Sequence, residues 1–155
     1  SLPEFIGLDG DIARTLLADV GVVVLREDSA DVESLMGATL DGASRLERGS
    51  VVAVPPLPGC ESEGFGAWHR NNANEFHIVI DGVGLVEFMT EGGPVAALLS
   101  AGDIMVVRQA EHRYLPLTPQ GWVVRFGGGP DAELVPTDTG RPAGPWPRIG
   151  STPTG

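Results

Sequence analysis

From about Val51 onward the chain is a succession of short apolar runs punctuated by turn residues. The runs are "SVVAV", "FGAWHR", "EFHIVI", "VGLVEFM", "VAALL", "DIMVV", "HRYLPL" and "WVVRF". Between them lie "PPLPG", "NNAN", "DG", "EGG", "SAG", "RQAE" and "TPQG". Many short strands at regular spacing can bury their apolar faces only by closing on one another. The rhythm therefore predicts an antiparallel barrel or double-sheet sandwich rather than a helix bundle. Twenty-two glycines and thirteen prolines supply the turns this requires. A length of 155 residues suits one domain with a core of its own.

The first third reads differently. "DGDIARTLLADVG" sets Ile12, Leu16, Leu17 and Val20 at helical spacing and stops at Gly21. "SADVESLMGATLDGASRLERG" predicts a second helix through Val32, Leu35, Met36, Leu40, Ala43 and Leu46, ending at Gly49. "GVVVL" between them reads as a strand. The expected division is a helical segment over 1–50, a barrel over 51–126 and a Gly/Pro-rich tail over 127–155. The tail is expected to be irregular and laid over the barrel by Leu134, Trp146 and Ile149.

A formal charge of −11 argues against nucleic acid and against an anionic membrane surface, since either partner needs clustered basic residues. No apolar run approaches the length of a membrane span. Cys60, the single cysteine, excludes an intramolecular disulfide and is compatible with a reducing cytoplasm, the expected location.

Polar chemistry is concentrated in "WHRNNANEFH", which holds two of the three histidines. Side chains two apart in a strand share a face, so His69 and Asn71 point one way, and Glu75, His77 and Val79 share a face on the next strand. With "NNAN" as a hairpin loop, His69 and Glu75 meet across the pair. His112 follows "GDIMVVRQAEH", a strand and turn able to return to the same interior. Imidazoles and a carboxylate gathered in an apolar barrel must be hydrogen-bonded, paired or metal-bound. Two His and one carboxylate suit a divalent first-row metal: Fe(II), Zn, Ni, Mn or Co.

These residues carry a family resemblance. His69-x-Asn71, three residues, Glu75, six residues, Gly82 resembles the first motif of the cupin superfamily. Gly102-Asp103-"IMVV"-Arg108-Gln109-Ala110-Glu111-His112 resembles the second, with a turn about one residue short and without its usual Pro and Gly. "HRNNANEF" is similar to the metal motif of homogentisate 1,2-dioxygenases, and its His, five residues, Glu spacing occurs in 3-hydroxyanthranilate dioxygenases. The order of helix, "LERGSVVAVPPLPG", motif, "GDIMVV…H", "VVRF" and "ELVPTDTG" is similar to acireductone dioxygenases. The resemblance implies a mainly β, single-domain cupin, a double-stranded β-helix or jelly-roll barrel with two N-terminal helices. It allows a homodimer through sheet edges.

The resemblance further implies a metal-dependent dioxygenase that chelates a small enediol or dihydroxy-aromatic substrate and uses O2, with Fe(II) the first expectation. His69, Glu75 and His112 match the metal ligands. Asn71 stands where the second motif histidine is usual, so it is either a weaker fourth ligand or a substrate contact. With three protein ligands an octahedral metal keeps three open positions; with four it keeps two. His77 and Arg108 are the candidate catalytic groups, His77 for acid/base work. Arg113 and Tyr114 are candidate substrate contacts, an arginine being able to clamp an anionic group. A non-oxidative metal enzyme (isomerase, dehydratase, cyclase or lyase) and a non-catalytic small-molecule-binding barrel are the alternatives.

Overall fold

The computed structural model describes residues 3–26, 31–42, 47–51 (backbone only) and 66–147. Cys60, "PPLPG", Ala43, Leu46 and Ile149 lie outside the described residues. The elements run β1 (Glu4–Phe5), α1 (Gly10–Asp19), β2 (Val22–Arg26), α2 (Val32–Thr39), β3 (Glu47–Val51), β4 (His69–Asn71) and β5 (Asn74–Asp81). They continue with β6 (Gly84–Thr90), β7 (Gly93–Leu99), β8 (Asp103–Arg108), β9 (His112–Pro116), β10 (Gln120–Phe126) and β11 (Pro136–Asp138).

Two antiparallel sheets face each other, with strand orders β1-β7-β6-β9-β4-β11 and β2-β8-β5-β10-β3. Their inner faces hold Val22, Val24, Val79, Met105 and Val107 against Phe5, Val86, Phe88, Val95, Ala97 and Leu99. Period-2 alternation puts Phe76, Ile104 and Val106 on the outer face of the five-stranded sheet, where Val32, Leu35 and Met36 of α2 cover them. The sandwich expected from the strand rhythm is what forms. Among the described residues no helix is long and apolar enough to cross a membrane.

Helix α1 is capped by Asp9, whose carboxylate accepts from the Asp11 and Ile12 amides, and Gly21 at φ +81° ends the turn that follows it. Ala13 and Leu17 form its buried stripe, one turn apart. Ile12, expected on that stripe, is 54% exposed; it lies about 100° round the helix from Ala13. Helix α2 is also shorter than the apolar spacing suggested. It stops at Thr39, and Asp41 and Gly42 then accept backbone hydrogen bonds from Gly128 and Gly129 at 3.1 and 2.8 Å. Gly42 takes φ +74°, and by Glu47 the chain is already strand, paired with β10.

Two departures shape the site. First, β4 and β5 are not a hairpin: β4 pairs with β9 and β11, whereas β5 pairs with β8 and β10. The turn at Asn72 and Ala73 carries the chain from one sheet to the other. Secondly, the tail is not wholly irregular, because Pro136–Asp138 pair antiparallel with β4.

Candidate functional site

Strand parity and sheet packing build the site together. On the six-stranded sheet His69 pairs directly with His112, and the residue pattern buried–exposed–buried along β4 turns His69 and Asn71 inward and Arg70 out. On the opposite sheet Glu75 and His77 face inward beside Val107 and Met105, their register partners. His69 and Glu75 therefore meet across the sandwich rather than across a hairpin.

The two imidazoles are tilted at 55° with ring centroids 4.4 Å apart. Each Nδ1 lies 2.8 Å from a carbonyl two residues earlier, Ala67 for His69 and Ala110 for His112. A carbonyl can only accept, so Nδ1 carries the proton on both rings and Nε2 is left as the potential metal donor. Burial pushes the His112 imidazole below its ordinary 6.5, and this outweighs the nearby Glu75 charge.

Glu75 is buried and accepts two hydrogen bonds. Asn71 Nδ2 donates to Oε2 at 2.8 Å and His77 Nε2 donates to Oε1 at 2.9 Å. Burial alone would raise the carboxyl, but the hydrogen bond and charge of His77, the charge of His112 and the Asn71 amide carry it below its ordinary value. All three histidines, Glu75 and Asn71 are thus one polar cluster in an otherwise apolar interior.

Donor type and tautomer fit a divalent metal at the paired histidines. The carboxylate fits less directly. Among the described residues no three His, Cys, Asp or Glu side chains already stand together as a ligand set. Each Glu75 oxygen accepts one hydrogen bond and keeps a second lone pair, so Glu75 would join the histidines without releasing Asn71 or His77. Asn71 spends its amide nitrogen on Glu75, which leaves its oxygen as its only donor to a metal.

The remaining candidates divide. Tyr114 faces inward; its hydroxyl donates to Gln120 Oε1, Gln120 Nε2 donates to Leu99 O at 3.1 Å, and burial pushes the phenol well up. Gly84 makes room for this pair: a Cβ there would stand 2.1 Å from Gln120 Oε1 and 2.7 Å from the Tyr114 ring, so any side chain would displace them. Arg108 is exposed on the outer face, beside Asn74 in register. Arg113 points out of the back of its sheet, 1% exposed. It pairs with Glu87 at 2.8 Å and lies 5.1 and 3.9 Å from the Trp68 and Trp146 ring centroids. Neither arginine reaches the interior, because each stands one residue out of phase with the inward set. Strand parity read along β9 and β8 carried that signal.

Sequence reasoning missed Gln120 and Trp122. A register shift between Gly121 and Trp122 breaks simple alternation in β10. Trp122 stands edge-on to Tyr114, with centroids 6.1 Å apart. The second-motif turn adopts its left-handed corner without glycine, at Gln109 with φ 58°.

No protein-family model and no curated protein matches the chain. Solved structures do. Acireductone dioxygenase from Bacillus anthracis, with cadmium in its active centre, aligns at TM-score 0.62 and 15% identity, over 88% of this chain and 99% of that one. The fold is a cupin fold. A variant of oxalate decarboxylase from Bacillus subtilis aligns at TM-score 0.44 and 16% identity, over 76% of this chain but 27% of that one. That likeness is too loose to bear on the site. Within the cupin fold, His69 sits on β4, Glu75 and His77 on β5 and His112 on β9, so the first motif contributes through two strands and the second through one.

Proposed function

We propose that this cupin-fold chain is a metal-dependent enzyme of small-molecule chemistry, with His69, His112 and Glu75 as the protein ligands. The observation that carries the reading is the pair of inward imidazoles with both Nδ1 atoms committed to backbone carbonyls. Fe(II) is the expected metal; Zn, Ni, Mn and Co suit the same donors. The likeness in fold to an acireductone dioxygenase whose structure holds cadmium supports the reading.

The finer proposal is a dioxygenase acting on an enediol or dihydroxy-aromatic substrate. Phe88, Tyr114, Trp122 and Phe126 turn aromatic rings inward near the polar cluster, a wall suited to a planar substrate. A metal held by His69, His112 and Glu75 would supply Lewis acidity that eases the loss of protons from substrate hydroxyls. His77, 16% exposed, receives such a proton at Nδ1, the nitrogen Glu75 does not engage. Glu75 holds that ring in place, and Asn71 holds Glu75. The apolar faces around them exclude bulk water and strengthen these contacts.

The Glu75–His77 contact also favours a second reading, a non-oxidative lyase or isomerase in which the same pair moves a proton and no oxygen is consumed. An oxygen electrode with the metal-loaded protein and a panel of catechols and enediols separates the two. Uptake that vanishes in Glu75→Ala supports the dioxygenase. Substrate turnover without uptake transfers the case to the second reading.

A further inference from the structure

The strand that carries His69 is held weakly by its own sheet. Strand β4 has three residues and meets β9 at one register pair, His69 with His112. Its other edge is held by the tail. Pro136, Thr137 and Asp138 pair with Asn71, Arg70 and His69. Asn72 exchanges hydrogen bonds with Val135, N to O at 3.1 Å and Oδ1 from N at 2.7 Å, and its Nδ2 donates to Glu133 O at 3.0 Å.

The same segment then crosses to β9. The Thr139 amide donates to Trp68 O at 3.0 Å while its hydroxyl donates to the Glu111 carboxylate. Arg141 grips that carboxylate with two prongs, Nε and Nη2 each at 3.0 Å. Farther along, the Gly144 and Pro145 carbonyls accept from Arg113, and Trp146 covers its guanidinium. Trp68, Glu111 and Arg113 are the chain neighbours of His69 and His112. Glu111 and Arg113 are buried charges, which demand partners. One stretch of tail thus grips the back of both histidine strands.

We infer that Glu111, Thr139 and Arg141 are positioning residues that set the spacing of His69 and His112 by tying the two strands to one tail segment. The tie is needed because β4 has so little pairing of its own, and because donor atoms displaced by about 1 Å no longer work together. It rests on the metal reading above only for its consequence, metal affinity; the spacing itself is a property of the metal-free chain.

The test compares Arg141→Ala, Thr139→Val and Arg141→Lys with Leu16→Ala, a destabilising change on α1 outside the grip. In the metal-free protein, the Nδ1–H resonances of His69 and His112 should broaden or vanish in Arg141→Ala and weaken in Thr139→Val. They should persist in Leu16→Ala and return in part in Arg141→Lys. Cobalt(II) affinity should fall about 10- to 100-fold in Arg141→Ala, the usual effect of losing an outer support, and stay unchanged in Leu16→Ala. Unaltered histidine resonances in both Arg141→Ala and Thr139→Val overturn the inference, as does equal damage from Leu16→Ala. A wild-type protein that binds no cobalt overturns the metal reading instead, while the resonances still decide the tie.

Discussion

His69 and His112 occupy the single register pair between β4 and β9, and each ring is fixed by the same local device, Nδ1 to a carbonyl two residues earlier at 2.8 Å. Two separate strands have arrived at one tautomer. The expected outcome is that nitrogen-15 shifts of the metal-free protein at neutral pH show a protonated Nδ1 and a bare Nε2 on both rings. The opposite tautomer on either ring would remove that nitrogen from the ligand set.

His77 is expected to serve chemistry rather than metal retention, because its Nε2–H is spent on Glu75. His77→Ala should keep metal affinity within about ten-fold while turnover drops by about 10²- to 10⁴-fold, the range for a positioned acid or base. Paired metal titration and turnover assays check this. Loss of the metal along with activity would make His77 a ligand instead.

Arg113 is expected to matter for stability and not for substrate. Arg113→Ala leaves the buried Glu87 carboxylate without its partner, at a cost of about 3–5 kcal/mol. Chemical denaturation measures that loss. KM, read well below the melting temperature, should not change, and the exposed Arg108→Ala should alter neither quantity. A raised KM in either variant for a carboxylated substrate would restore the anion-clamp role.

Gln109 holds φ 58° in the turn leading to His112, a conformation that costs a side-chain-bearing residue about 1–2 kcal/mol. Gln109→Gly removes that strain and adds about 0.5–1 kcal/mol of unfolded-chain entropy. A net gain of about 0.5–1 kcal/mol is expected from the denaturation midpoint. A net loss would mean that the contact of Gln109 Nε2 with Asn74 Oδ1, 3.4 Å long, outweighs the strain.

Alternation along "WHRNNANEFH" was enough to sort inward His69, Asn71, Glu75 and His77 from outward Arg70, since face is a local property of a strand. Which sheet a strand joins is not local, so the passage from β4 to β5 read as a hairpin. The stop of α1 at Gly21 was legible as a glycine at the helix end, whereas its Asp9 cap was not singled out. The early end of α2 was not legible, because Asp41 and Gly42 are claimed by glycines more than eighty residues later. The grip of Arg141 on Glu111, thirty residues apart, left no pattern in either segment. "PTD" likewise hides β11, as neither its proline nor its aspartate favours a strand. A fold drawn from many short strands was visible; the contacts that hold its least supported strand were not.

The central claim is that His69, His112 and Glu75 hold a divalent metal. Elemental mass spectrometry of protein purified without chelators or nickel affinity resin, beside His69→Ala, tests it most directly. The account predicts near-stoichiometric divalent metal, iron first, in the wild type and its loss in the variant. A folded wild-type protein with no metal, and none taken up on titration, would contradict it.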